Sequence, residues 1–191
     1  MSTQRKHDRL YTLDDYFSVE ETAAIKHEYY DGEIFAMTGA SLNHNRVAAN
    51  IFTALSIALR DRPCDVFTSD MRIATSSKLY TYPDVSIFCD PVELTKDKYD
   101  TAMNPTILVE VLSKSTQKYD RGQKFDQYKS ISSLLDYVLI EQHQVLVEHF
   151  RLTDREWTRR EYRKLTDTLD LSSVGFQVSL AEIYRRVEFD S

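Results

Sequence analysis

Ile107-Leu108-Val109-Glu110-Val111-Leu112 is a run of β-favouring apolar residues with one carboxylate in its middle. A stretch this rich in Ile, Leu and Val reads as a central strand covered on both faces, since a half-exposed strand would alternate with polar residues. Burying Glu110 there without a partner is costly. The group must therefore be protonated, paired with a cation or bound to a metal. Its neighbours decide which.

Working outward, Val85-Ser86-Ile87-Phe88-Cys89 follows Pro83-Asp84 and reads as a second apolar strand, with the proline suited to its start. Tyr137-Val138-Leu139-Ile140 reads as a third. Between the second and the third, residues 119–130 carry helix signals, with Phe125, Tyr128 and Ile131 as the packed stripe. Upstream, residues 13–24 read as a short amphipathic helix with Asp14 and Asp15 near its start. Residues 27–37 read as a hairpin turning at Asp31-Gly32. After a loop at 38–43, Val47, Ile51, Ala54, Leu55 and Ala58 share one face of a helix running to about Arg60. Short strands are expected at 65–69 and 71–75, and a polar connection at 90–104. A closing meander is expected over 145–150 and 157–162, around Thr153-Asp154-Arg155, then a short helix within 179–187. This order predicts an α/β or α+β fold with a mixed sheet.

The chain has 191 residues, enough to bury a sizeable core, and reads as a single domain over 1–191, with 1–10 a flexible N-terminus. Its opening, MSTQRKHDRL, lacks an apolar core segment, so no secretory signal is expected. No run is long enough to span a membrane. Cys64 and Cys89 lie in apolar surroundings and read as reduced core thiols, which makes the chain cytoplasmic. A net charge of −6 argues against a protein that coats nucleic acid non-specifically, though not against a nucleic-acid enzyme. Basic residues gather at Lys114, Lys118, Arg121, Lys124 and Lys129, and again around Trp157; the second group reads as a solvated face.

Features converging on Glu110 suggest chemistry. Asp84 stands at the entrance of the preceding strand; if the two strands are neighbours, both carboxylates point to one side of the sheet. They repel, and a divalent cation is the simplest group that stabilises both in ionised form. An oxygen-only donor set favours magnesium or manganese over zinc. Lys124 lies at the edge of the following helix, where an ammonium can orient water or stabilise developing phosphate charge. Its ordinary alternative is a surface lysine paired with Asp120, four residues earlier. Glu28, Glu33 and His44 form a further group: the two glutamates read equally as exposed hairpin residues, and His44 as a satisfied core histidine. Glu141, His143 and His149 fall at even spacing on one strand, but no CxxC or HExxH pattern accompanies them, and an exposed strand face is the plainer reading.

Taken in order, Asp31-Gly32-Glu33-Ile34, Ser41 with His44, Pro83-Asp84-Val85-Ser86, Val109-Glu110-Val111-Leu112-Ser113, Tyr119-Asp120-Arg121-Gly122-Gln123-Lys124-Phe125, Tyr128 and Tyr137-Val138-Leu139-Ile140 resemble the "Uma two" family of restriction-endonuclease-like proteins in the PD-(D/E)XK nuclease superfamily. The resemblance covers roughly residues 10–189. It implies a restriction-endonuclease-like mixed β-sheet flanked by helices. It also implies Mg²⁺- or Mn²⁺-dependent hydrolysis of DNA phosphodiesters by Asp84, Glu110 and Lys124. Asp84, Glu110 and the main-chain carbonyl of Val111 would be the metal ligands. Glu28, Glu33 and His44 are auxiliary candidates. The superfamily lysine usually stands two residues after the acid, where this chain has Leu112, so Lys124 reads as a migrated catalytic lysine, with Lys114 as the other candidate. DNA is the implied substrate, and double-strand cleavage would favour a homodimer. The alternative is a catalytically silent scaffold of the same fold, serving dimerisation or partner binding, whose site persists as a buried ion-pair network.

Overall fold

The computed structural model describes residues 10–76, 78–97 and 99–189; the stretch expected to be flexible, apart from Leu10, lies outside the described residues. Helix α1 (Leu13–Thr22) starts at a capping box in which the Thr12 side chain accepts the Asp15 N–H and the Asp15 carboxylate accepts the Thr12 N–H. Strands β1 (His27–Tyr30) and β2 (Glu33–Ala36) form the expected hairpin, with φ of 43° at Asp31 and 98° at Gly32. Two positive φ angles make the tight turn that matches strand twist, and glycine accepts the larger one without strain. Helix α2 (Leu42–Leu59) is capped by Ser41, whose side chain accepts the His44 N–H.

Short strands β3 (Asp65–Thr68), β4 (Arg72–Ala74), β5 (Leu79–Thr81), β6 (Val85–Phe88) and β7 (Thr101–Ala102) precede β8 (Ile107–Leu112). A continuous helical segment follows: α3 (Gln117–Tyr119), a π turn (Asp120–Lys124) and α4 (Phe125–Tyr128). Then come β9 (Asp136–Glu141), β10 (Val147–Thr153), β11 (Glu156–Tyr162), β12 (Thr168–Leu171), β13 (Phe176–Ser179) and α5 (Leu180–Ile183).

The main sheet has the order β11-β10-β9-β8-β6-β3. It is mixed, because β8 runs parallel to β9 and antiparallel to β6. Every residue of β8 is buried, as the apolar run demanded. Alternation divides its side chains. Ile107, Val109 and Val111 pack with Val47, Ile51 and Leu55 of α2, while Leu108 and Leu112 pack with Phe125 and Tyr128 of α4. Glu110 shares the second face, toward the α3–α4 segment. A smaller sheet, β2-β1-β5-β4-β7, contributes Ile73 and Leu79 to that same packing layer, and β12 pairs with β13 on the α2 side.

Several expectations change. Strands β5, β7, β12 and β13 were not anticipated, and β7 falls inside the stretch read as a polar connection, where it pairs with β4. On α2 the buried stripe ends at Leu59, and Ala58 is exposed. Cys64 and Cys89 are joined by a disulfide rather than reduced. They flank the β3–β6 pair, whose antiparallel register sets Asp65 against Phe88 and so brings the two cysteines opposite each other. His149 is also buried, not on an exposed face: it bonds Asp136 at 2.6 Å, and Arg151 reaches the same carboxylate at 2.9 Å. The arginines near Trp157 are partly engaged, Arg159 pairing with the buried Glu148 and with Glu161.

Candidate active site

The β6–β8 register sets Val85 against Val109, so Asp84 falls opposite Glu110 at the strand entrance. Asp84 Oδ2 accepts the Val111 N–H at 2.7 Å and lies 3.2 Å from His44 Nε2. Glu110 Oε1 accepts the Tyr128 hydroxyl at 2.8 Å and pairs with Lys124 Nζ at 2.9 Å. The same ammonium reaches Glu28 Oε1 at 2.9 Å and Asp120 Oδ1 at 3.8 Å, and the Thr81 hydroxyl donates to Glu28. All of these except Thr81 and Tyr128 line a cleft of about 1190 Å³. Its walls are the β1–β2 hairpin, the start of α2 and the helical segment.

Asp120 and Lys124 stand four residues apart at the two ends of the π turn and both reach the interior, at 4% and 5% exposure, although both are ionisable. Widening the helix by one residue reorients its side chains locally, a distortion common at functional sites. Tyr137 of β9 donates its hydroxyl to the Asp120 carbonyl at 3.1 Å and ties the distorted turn to the sheet.

Charge is unbalanced in this cluster. Glu28, Asp84, Glu110 and Asp120 face the ammonium of Lys124 and the imidazole of His44. Burial pushes the Glu110 carboxyl up to about 8 against the pull of Lys124, with Asp120 and Asp84 adding to the rise. Burial also raises Asp120. Burial would raise Glu28 too, but Lys124 and Thr81 outweigh it and hold that carboxyl below its ordinary value. Lys124 is itself desolvated, yet the surrounding carboxylates push it well above the usual lysine range, so it stays charged. Burial opposes the protonated form of His44, but Asp84, Glu110 and the Val111 carbonyl raise its pKa overall. Of the two carboxyls beside Lys124, Glu28 is thus shifted toward its ionised form and Glu110 toward its protonated form.

Of the residues singled out from sequence, Asp84, Glu110, Lys124, Glu28 and His44 come together. Val111 lines the cleft, and its N–H is taken by Asp84. Glu33 lines the cleft on exposed β2 but makes no ion pair among the described residues. Lys114 is exposed in the loop after β8 and does not line the cleft. Glu141 accepts the N–H of His143, while His149 is held by Asp136, so those three do not form a site. Sequence reading missed Tyr128 as a partner of Glu110; its place four residues after Lys124, on the same helix face, was the available signal. Thr81 was missed because nothing local marks β5.

A description of the Uma2 family, "Putative restriction endonuclease", matches residues 13–181, which include every site residue named above. The chain belongs to the Uma2 family. Relatives include the "Uncharacterized protein sll1609" of Synechocystis sp., 37% identical over 155 residues, covering 80% of this chain and 88% of that one. A second Synechocystis protein, "Uncharacterized protein slr1290", is 36% identical over 178 residues and covers 92% of each. The fold is shared with the crystal structure of "a putative nuclease belonging to DUF820" from Anabaena variabilis, at a TM-score of 0.74 over 91% of this chain and 97% of that one. Identity to that structure is 16%, so the likeness speaks for the fold alone. No helix among the described residues is long and apolar enough to cross a membrane.

The family implies a divalent cation, and the donor chemistry fits one. Asp84 and Glu110 each keep a carboxylate oxygen that takes no hydrogen bond from a described residue, and the cluster carries more carboxylates than cations. Among the described residues, no group of three or more His, Cys, Asp or Glu side chains is arranged to hold a metal. Mg²⁺ does not need such a cage, since it commonly takes one or two carboxylates and keeps several waters.

Proposed function

We propose that the protein is a Mg²⁺- or Mn²⁺-dependent DNA endonuclease whose centre is Asp84, Glu110 and Lys124. The observation that carries this reading is the meeting of two opposed strand carboxylates with one buried lysine on the floor of a cleft. Asp84 and Glu110 would hold the cation, with the Val111 carbonyl beside them. When bound, the cation would supply Lewis-acid polarisation of the phosphate and a lowered pKa for water.

The protein's own groups divide the remaining work. Lys124 keeps its proton at Nζ and presents positive charge where the phosphate's charge would grow. Glu28 and Glu110 hold the lysine from two sides, which fixes its position. His44 and the Val111 N–H both engage Asp84 Oδ2, which leaves the other oxygen for a ligand. Tyr128 does the same for Glu110.

The test is nicking of supercoiled plasmid with Mn²⁺ or Mg²⁺ by the wild type, Asp84→Ala, Glu110→Gln, Lys124→Ala and Lys114→Ala. Wild type and Lys114→Ala should cut, and the other variants should lose most activity. Cutting that survives in Glu110→Gln would overturn the assignment.

A second reading is a silent scaffold, favoured by one observation: Lys124 already closes on Glu28 and Glu110 at 2.9 Å each, so the network is partly self-satisfied. Calorimetric titration with Mn²⁺ separates the two, since a scaffold should show no saturable binding that Glu110→Gln removes.

A further inference from the structure

The hairpin wall of the cleft has a composition that phosphodiester chemistry alone does not require. Alternation along β1 and β2, with Glu28 opposite Phe35 and Tyr30 opposite Glu33, turns these four side chains to the cleft and sends Tyr29 to the core. Phe35 is 47% exposed and Ile25, at the same mouth, 54% exposed, with Met37 beside them. A cross-strand pair brings Cβ atoms within about 5.5 Å, so Phe35 stands beside Glu28 across the hairpin. An apolar, aromatic lip therefore borders a carboxylate floor.

Cations are scarce here. Among the described residues, Lys26 and Lys124 are the lysines that line the cleft. Lys26 is engaged by the Ser69 carbonyl at 2.6 Å and Asp70 at 2.9 Å, and Lys124 by Glu28 and Glu110. Affinity for DNA of either form grows with the number of phosphates neutralised, and this lining offers little of it, so any grip here rests on contacts other than charge. Aromatic faces can instead grip bases, but only bases released from the stack of a helix. A second copy seated on β2 would hide Phe35 equally well, yet it would also cover the route to Glu110.

We infer that Phe35, on the wall it shares with Tyr30, stacks an unpaired base, so that the strand cut at the Asp84–Glu110 floor is single-stranded or locally melted DNA. The inference rests on the nuclease reading and specifies its substrate. Phe35 acts as a specificity residue, holding the base while the neighbouring phosphate lies over the carboxylates. Intact duplex is a poor substrate because it presents no free base face to this wall.

The experiment uses the full chain with Ca²⁺ replacing Mg²⁺, so that binding is read apart from cutting. Three probes of one sequence carry a fluorescent aminopurine: a single strand, a fully paired duplex, and a duplex with a central unpaired bubble. Wild type should bind the single strand and the bubble and quench the aminopurine, as base stacking does. Phe35→Ala should bind them roughly tenfold or more weakly and lose the quenching; Phe35→Trp should retain both. Equal binding of single strand and duplex by wild type overturns the inference, as does unaltered binding and quenching by Phe35→Ala. A wild-type dimer that Phe35→Ala turns into a monomer assigns the ring to a second copy and also overturns it. In a parallel Mg²⁺ cleavage assay, loss of cutting in Lys124→Ala but not in Phe35→Ala would sink this inference and leave the nuclease reading intact. No binding or cutting of any probe by wild type would sink both.

Discussion

Replacing Lys124 by Met removes one charge from the floor of the cleft and keeps most of the buried stem. What remains is Glu110, Glu28 and Asp120 facing one another without the ammonium that lies 2.9, 2.9 and 3.8 Å from them. Removing one partner of a buried ion pair typically costs about 3–5 kcal/mol. In a chain of this length each kcal/mol moves the melting temperature by about 2–4 °C, so the variant should melt roughly 6–12 °C below wild type at the low end of that range. The loss should depend on pH. Burial has pushed the Glu110 carboxyl up to about 8 from an ordinary 4.5, and Lys124 was restraining that rise. A carboxyl raised in the folded state favours folding fully below its unfolded value and loses that contribution as pH climbs through the folded value. Near pH 5 Glu110 is protonated in wild type and variant alike and the deficit should shrink; near pH 9 it should be larger, because without Lys124 the variant's carboxyl is pushed higher still. Thermal melts followed by circular dichroism in chelator, at both pH values, measure this. Adding Mg²⁺ should restore part of the loss, about 2.7 kcal/mol at a hundredfold excess over its dissociation constant. A Lys124→Met protein that melts with wild type near pH 9 would refute the claim that Lys124 neutralises the floor.

Tyr128→Phe withdraws a buried hydroxyl from Glu110 Oε1 and should lower stability by about 1–3 kcal/mol, read from urea denaturation; an unchanged midpoint would exclude that bond. Asp84→Asn keeps an oxygen for the Val111 N–H, whereas Asp84→Ala orphans it, so Ala should be less stable than Asn by about 1–3 kcal/mol while both fail to cut. Equal stability of the pair would remove the positioning role given to that N–H. His44 has its pKa raised by Asp84, so its contribution is full below the unfolded value near 6.5 and fades as pH rises through the folded one. His44→Gln should flatten the stability profile in that window, and superimposable profiles from a denaturation series would count against the contact.

The central strand and its neighbours were legible because burial on both faces leaves its mark in composition, and the Asp31-Gly32 turn because positive φ selects its residues. The pairing of Asp84 with Glu110 followed once the two strands were taken as neighbours. Lys124 was found through the family's ordered motif, since nothing local distinguishes it from an exposed lysine. The remainder was hidden for a common reason. Strand β5 has three residues and exists through its pairing with β1 and β4, information that lies far away in the chain. Cys64 and Cys89 meet through the β3–β6 register across 25 residues. Glu110's bond to Tyr128 joins a strand to a helix, and sequence spacing along either element alone does not reveal it.

The π turn has a consequence for how this helix can change. Deleting one residue from Asp120–Lys124 would restore an ordinary helix but rotate everything on one side of the cut by about 100° relative to the other. Either Phe125 and Tyr128 would leave their packing, or Tyr119 and Asp120 would swing away from the cleft. Point changes at the exposed Gln123 should be absorbed, whereas a one-residue deletion should not. The length of this helix is therefore held fixed by geometry as firmly as the identity of its lysine is by charge.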